Sequence, residues 1–404
     1  MPTSRPPHDS GGHGPDPIGL AERVLAILDE GSFTATYKFA VLLALLDCCL
    51  EQAQADGRPP AAIGTRALAR RTLELYWPQT NGFAGPAGTV MLRQNSSNQA
   101  EILSRIYQFR DRHGADRTPT AADAEHLAAA DFTDLLEFAE WKLAEMPLPR
   151  LQRLGQRDDR FLYDLDWHAT GWGASITQRQ LRDGTVRPEV RLRAGVADEL
   201  LRLHGLLRPL IEREWAATVA RFNRDAVGDY ELDAFLFGRT RTPPGRLKAD
   251  LSELQQGACF YCGRQLRTGE TAEIDHFLPW ARHPDEGIHN LVVADRTCNN
   301  SKRAYLASAE HVERWRCRLD QRGHALTEIA RARQWPAHHD RTLGAVRAVY
   351  LHLPTEARLW LARDAFTEPD RDRLVDVLGE RPVADAAAEP DAGPWGMPPE
   401  GPSR

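Results

Sequence analysis

Residues 259–302 read CFYCGRQLRTGETAEIDHFLPWARHPDEGIHNLVVADRTCNNSK. The segment opens on a C-x-x-C pair, Cys259 and Cys262, with a glycine after it. Two thiolates at that spacing can hold one metal ion at a tight turn, and a redox pair or two buried thiols would read the same way. Glu273 to His276 reads as the end of a strand that leaves through His-Phe-Leu-Pro. Asp275 and His276 set a hard oxygen ligand beside a base that titrates near neutral pH. Consecutive strand residues face opposite ways, so both serve one site only where the strand ends or twists away. Ile288 to Val293 reads as a second strand, entered from a turn at Pro284 to Gly287, with Asn290 at its start. A buried amide there would hold the preceding loop; an ordinary turn asparagine is the plain alternative. Asp295 to Ala307 reads as a helix. Asp295 and Cys298 share one of its faces, and Asn299, Lys302 and Arg303 share a neighbouring one. The first face can look back at the C-x-x-C, while the second offers an amide oxygen and two cations to a phosphate.

Outward from this segment the chain is long and ordinary in composition. Its 404 residues are 42% hydrophobic, enough for two or three domains with buried cores. The longest purely apolar run, Phe39 to Leu46, is far short of the roughly 18 residues a membrane span needs. The first 16 residues are rich in Pro, Gly and Ser and lack a signal-peptide core, so a cytoplasmic protein with six reduced or metal-bound cysteines is expected. With a net charge of −6, nucleic-acid binding has to come from local patches. Four of the 51 basic residues are lysines and the rest are arginines, a bias that suits a GC-rich genome and weakens any argument from arginine abundance alone.

The expected class is α+β, mainly α. Residues 1–17 and 383–404 read as disordered tails. Residues 18–240 read as a mainly helical recognition or regulatory region with a small sheet. Its helices are expected at Phe33–Gln54, Thr65–Tyr76, Gln99–Arg112, Thr133–Ala144 and Val196–Asn223, with a kink or break at Pro209. Strands are expected where Phe161, Tyr163, Leu165 and Trp167 alternate and at Val190–Arg193. Thr170–Gly173 reads as a turn and Arg239–Lys248 as a basic linker. Residues 241–308 form the module quoted above. Residues 309–382 read as a helical cap, with helices at Leu343–Leu353 and Glu356–Phe366. Cys317 reads as structural and His338-His339 as a surface pair.

Taken in order, C-x-x-C, strand, D-H-x-x-P, loop, H-N-L strand and C-N-x-x-K helix, the segment resembles the HNH endonucleases and their ββα-metal fold. The three signature positions fall on His276, Asn290 and Asn299, an H-N-N variant. The step from Asn290 to Asn299 is similar to that in the HNH domain of RNA-guided CRISPR nucleases. The resemblance covers about 50 of the 404 residues. It implies a phosphodiester hydrolase acting on nucleic acid, DNA before RNA. In that role His276 is the general base, and Asp275 with the Asn299 side-chain oxygen binds Mg²⁺ or Mn²⁺. Asn290 shapes the loop that orients His276, and the products carry a 5′-phosphate and a 3′-hydroxyl. Lys302 and Arg303 are added as phosphate-contacting cations, with solvated helix charges as the plain alternative. Zinc-stapled relatives usually carry a second C-x-x-C, whose first position is here Asp295. Cys259, Cys262, Asp295 and Cys298 are therefore the expected structural zinc ligands, with His283 or His289 as substitutes for the aspartate. Simple packing of the three thiols is the alternative. A restriction or defence nuclease with a regulatory partner is one role such a chain can have. The competing classes are a non-catalytic zinc-containing nucleic-acid binder and a zinc knuckle within a helical interaction protein.

Overall fold

A helix that is apolar on every side has to be buried on every side. The segment from Phe39 to Leu50 is apolar on nearly every side, Asp47 excepted, and in a computed structural model of the chain every residue of it is buried. The structure describes residues 16–29, 35–85, 88–97, 99–154, 157–168, 176–227, 232–237, 244–266 and 272–380. Residues 1–15 and 383–404 of the expected tails, the turn at 170–173 and positions 239–243 of the basic linker lie outside them.

The described residues form a mainly helical protein with small antiparallel sheets. Thr65–Tyr76 and Val196–Phe222 pack on the Tyr37–Glu51 helix; Pro17–Asp29 packs on Val196–Phe222, Ala129–Glu145 on Thr65–Tyr76, and Glu101–His113 on Ala129–Glu145. Most of the buried apolar side chains between Leu20 and Leu236 make one cluster. Strands Ala62–Gly64, Glu189–Leu192 and Tyr163–Leu165 form an antiparallel sheet on it. The Val196–Phe222 helix runs on through Pro209 as one element, so the expected break is absent. Its buried stripe, including Leu207, Ile211 and Trp215, continues on both sides of the proline, and packing outweighs the lost backbone bond.

A second apolar cluster holds side chains from Leu247 to Leu378 together with Leu50 near the end of the central helix and Ala53 just after it. The module and the cap share this one core. Strands Ala272–His276 and Leu291–Asp295 pair antiparallel, from Ala272 opposite Asp295 to His276 opposite Leu291. The Ala309–Arg333 helix backs them: Trp315 donates its indole N–H to the His289 carbonyl at 2.9 Å, and Phe277 stacks on Trp315 at 5.0 Å.

Two expected helices change. The helix after Asp295 ends at Lys302, where Arg303 takes a φ of 50°. Glu356–Phe366 is not helical. Its residues form a hairpin, Leu359–Ala362 against Ala365–Thr367, turned at Asp364 with a φ of 59°. Trp360 exchanges backbone bonds with Leu306 and Ser308, so a distant backbone edge claims residues whose spacing also suits a helix. Where the His339–Tyr350 helix crosses the central helix, a Cβ on Gly344 would sit 2.0 Å from the Glu51 carbonyl oxygen. Only glycine allows that approach.

Candidate active site and metal centre

The C-x-x-C turn is made by local backbone bonds. Cys259 N–H donates to the Arg264 carbonyl, Gly263 N–H donates to the Cys259 carbonyl, and Gly263 sits at a φ of 71°. Buried Gln255 fastens the turn to the second strand, accepting from Val293 N–H at 2.9 Å and donating to the Val293 and Ala258 carbonyls. That docking carries the thiols to the start of the Arg296–Lys302 helix. Ligand atoms of Cys259, Cys262, Asp295 and Cys298 all lie within 4.8 Å of one another. Ligands of a tetrahedral zinc stand about 3.3–3.8 Å apart, so the donor set fits zinc after a small contraction. Asp295 divides its carboxylate. Oδ1 caps the helix, accepting from Thr297 and Cys298 N–H at 2.8 and 3.1 Å, while Oδ2 faces the Cys262 thiol at 3.3 Å. The Cys298 thiol and the backbone N–H groups around Cys259 pull its pKa down to about 6 against burial. Burial pushes the Asp295 carboxyl up, but donors from Cys298 and the other thiols outweigh it and hold the carboxyl low. His283 and His289 are not substitutes. His283 reaches Glu51 at 3.2 Å and His289 packs edge-on against His339, both away from the thiols.

Asp275 and His276 point to different partners, as strand alternation requires. Asp275 Oδ2 accepts from Tyr261 O–H at 2.6 Å and meets Lys302 Nζ at 2.9 Å. His276 sets its ring edge-on to Trp280 at 5.3 Å, and its Nε2 stands 3.4 Å from Glu286 Oε2. Asn299 donates from Nδ2 to Glu273 Oε2 at 2.6 Å. Asp275, Asn299 and Lys302 thus lie along one helix–strand contact, and among the described residues no hydrogen bond joins His276 to Asp275 or Asn299 side chains. Both Asp275 contacts use Oδ2, which leaves Oδ1 and the Asn299 oxygen as hard donors of the kind Mg²⁺ or Mn²⁺ takes.

Asn290 is fully buried and works as a clamp. Its Oδ1 accepts from Leu278 N–H at 2.8 Å, and its Nδ2 donates to the Leu278 and Asp285 carbonyls at 3.1 and 3.2 Å. Phe277 N–H adds a bond to the Asn290 carbonyl at 2.7 Å. The loop that leaves His276 is thereby fixed at both ends.

Lys302 is not a phosphate contact. It is 0% exposed, and besides Asp275 its ammonium donates to the His276 carbonyl at 2.9 Å. Arg303 turns off the helix and donates to the Asn300 carbonyl, exposed and no longer in step with Asn299. Three further residues join the site: Tyr261 bonds Asp275, Glu273 bonds Asn299 and Glu286 faces His276. Glu273 carried a signal, two residues before Asp275 on the same strand face. Glu286 carried none, since its loop brings it to His276 only in three dimensions. The His338-His339 pair is half-buried rather than free on the surface.

Beside His276 lies a cleft of about 1030 Å³ between the helical unit and the module. Trp280 and Glu286 form part of its wall, and Arg110, Arg208 and Phe235 line the opposite side. A second group of close ligand atoms, Asp47, His204 and His283, lies buried behind it. There Arg71 donates to Asp47 at 2.7 Å and Arg208 also pairs with it, so two guanidinium charges already neutralise that carboxylate and oppose a bound cation.

Residues 259–308 match the HNH endonuclease family model, and residues 18–236, more than half of the chain, match a domain of unknown function (DUF8808). No curated protein and no solved structure matches the chain. The second match ends where the first apolar cluster ends, at Leu236. The chain belongs to the DUF8808 family and carries an HNH endonuclease module behind that domain.

Proposed function

We propose that this protein is a divalent-metal-dependent endonuclease that hydrolyses phosphodiester bonds in nucleic acid, DNA before RNA. The observation that carries the reading is the position of His276, an imidazole at a strand end, backed by the Glu286 carboxylate and packed against Trp280, both of which line a cleft. With Glu286 holding a proton on Nε2, Nδ1 is the nitrogen that takes a proton from the attacking water. Asn290 keeps the His276 loop in one shape, so that the base is aimed before substrate arrives. Asp275 and Asn299 would hold the divalent ion, which supplies Lewis-acid stabilisation to the phosphate and the leaving oxygen. Exposed Arg303 remains the candidate phosphate contact. Zinc at Cys259, Cys262, Asp295 and Cys298 would be structural.

One observation favours a second reading. The Lys302 ammonium sits on the carboxylate that the divalent ion needs, as in a module that binds nucleic acid without cutting it. Incubation with plasmid, single-stranded DNA and RNA, with and without Mg²⁺ or Mn²⁺, separates the two. Metal-dependent cleavage is expected, and His276→Ala should lower its rate at least 10²-fold, about the lower end of what a general base contributes. Retention of nucleic acid without cutting would select the binder.

A further inference from the structure

We infer that the cleft beside His276 seats unpaired bases next to the scissile phosphate, so that the enzyme acts on single-stranded or locally opened nucleic acid. The inference rests on the nuclease reading above and names its substrate form.

Continuity is the first support. Trp280 and Glu286 touch the His276 ring and also line the cleft. A strand with its phosphate at His276 can pass the adjoining nucleotide along that wall. Size is the second. At about 1030 Å³ the cleft is of the size that takes small-molecule ligands. Paired strands do not enter such a space, whereas a few single nucleosides do.

Chemistry is the third. Trp280, Phe235 and Phe237 are half-buried around the cleft and offer aromatic surface for base stacking. Most of the charge is already matched: Arg71 and Arg341 meet Glu74, and Arg208 meets Asp47 and Glu212. The interior therefore lacks the surplus positive charge that a run of phosphates needs. Arg110 is different. It is 7% exposed, and among the described residues it bonds only to neutral oxygens, those of Thr80, Asn81 and Ala115, with no partner for its Nε. A guanidinium in the cleft wall that bonds to no carboxylate suits the acceptor edge of a base. The backbone would then stay at the rim, where Arg282 is exposed.

The test uses the full chain and oligonucleotides of one sequence as single strand, blunt duplex and duplex with a short bubble. Wild-type protein with Mg²⁺ or Mn²⁺ should cut the single strand and the bubble at least about tenfold faster than the duplex, the scale of one stacked base. His276→Ala protein should quench 2-aminopurine placed beside the cut site and leave distant positions bright. Trp280→Leu and Phe235→Leu should each weaken single-strand binding about tenfold, with thermal melts confirming that they fold. Equal cutting of duplex and single strand, or an unquenched base beside the cut, overturns the inference and leaves the nuclease reading standing. No cutting of any form sinks both.

Discussion

Lys302 shows how little a side chain's type says about its work. Its spacing from Asn299 suggested a cation on an open helix face. The helix is two turns long and lies against the first strand of the module, so that face is covered. The ammonium joins the Asp275 carboxylate to the His276 carbonyl and rides over the Tyr261 ring at 5.6 Å. It therefore ties the side chain of one residue on which the proposed chemistry depends to the backbone of the other. Removing one member of a buried ion pair strands the other, at a cost of about 3–5 kcal/mol. Lys302→Met keeps the length and loses the charge. Its urea unfolding should show a loss in that range, and a loss below about 1 kcal/mol would mean the pair is solvated and the burial misread. Asn290 stands at the other extreme. Its place at the head of a strand was legible, and the structure adds which backbone groups it holds.

At the scale of elements, the hairpin and helix of the module were readable because each has a local signature. The apolar run Leu291–Val293, with two β-branched valines, follows a Pro–Gly turn, and Asp295 is a natural N-cap. The hairpin at Leu359–Thr367 was not readable, since its partner is the distant backbone at Leu306–Ser308. Glu286 was hidden for the same reason. Asp295 is the place where element and site meet, because one carboxylate both caps a helix and completes a ligand set. The two duties can be separated. Asp295→Asn keeps a good cap and loses the anionic ligand, while Asp295→Cys restores a thiolate and loses the cap, at about 1 kcal/mol. Metal analysis of purified protein should find one zinc per chain in the wild type and in Asp295→Cys, and much less in Asp295→Asn. Equal zinc in all three would remove Asp295 from the ligand set.

Across the whole molecule the two apolar cores meet along a charged seam. Glu51 and Glu74 belong to the helical unit, and Arg341, on the cap, bonds to both at 2.9 Å. His283, from the loop after His276, reaches Glu51 from the module side, and Thr342 on the cap donates to Asp285 of the same loop at 2.6 Å. The state of the seam is thus relayed to the loop that positions the proposed base. Burial raises the Glu74 carboxyl, but Arg341 and Arg71 outweigh it and hold its pKa near about 2, against an ordinary 4.5. A carboxyl depressed in the folded state stabilises fully above its ordinary pKa, and that contribution drains away as pH falls from 4.5 towards 2. His289 and His311 work at milder acidity. Burial keeps both neutral down to about 4, so the second core loses stability as pH falls from 6.5 to 4. Thermal melts of wild type and Glu74→Gln from neutral to acid pH separate the two effects. Both proteins should soften together between pH 6.5 and 4, where histidines titrate. The gap between them should be constant at neutral pH and close below 4.5, as protonation makes Glu74 the equal of glutamine. A gap that persists unchanged at the acid end would place the arginine charge elsewhere and break the link between seam and loop.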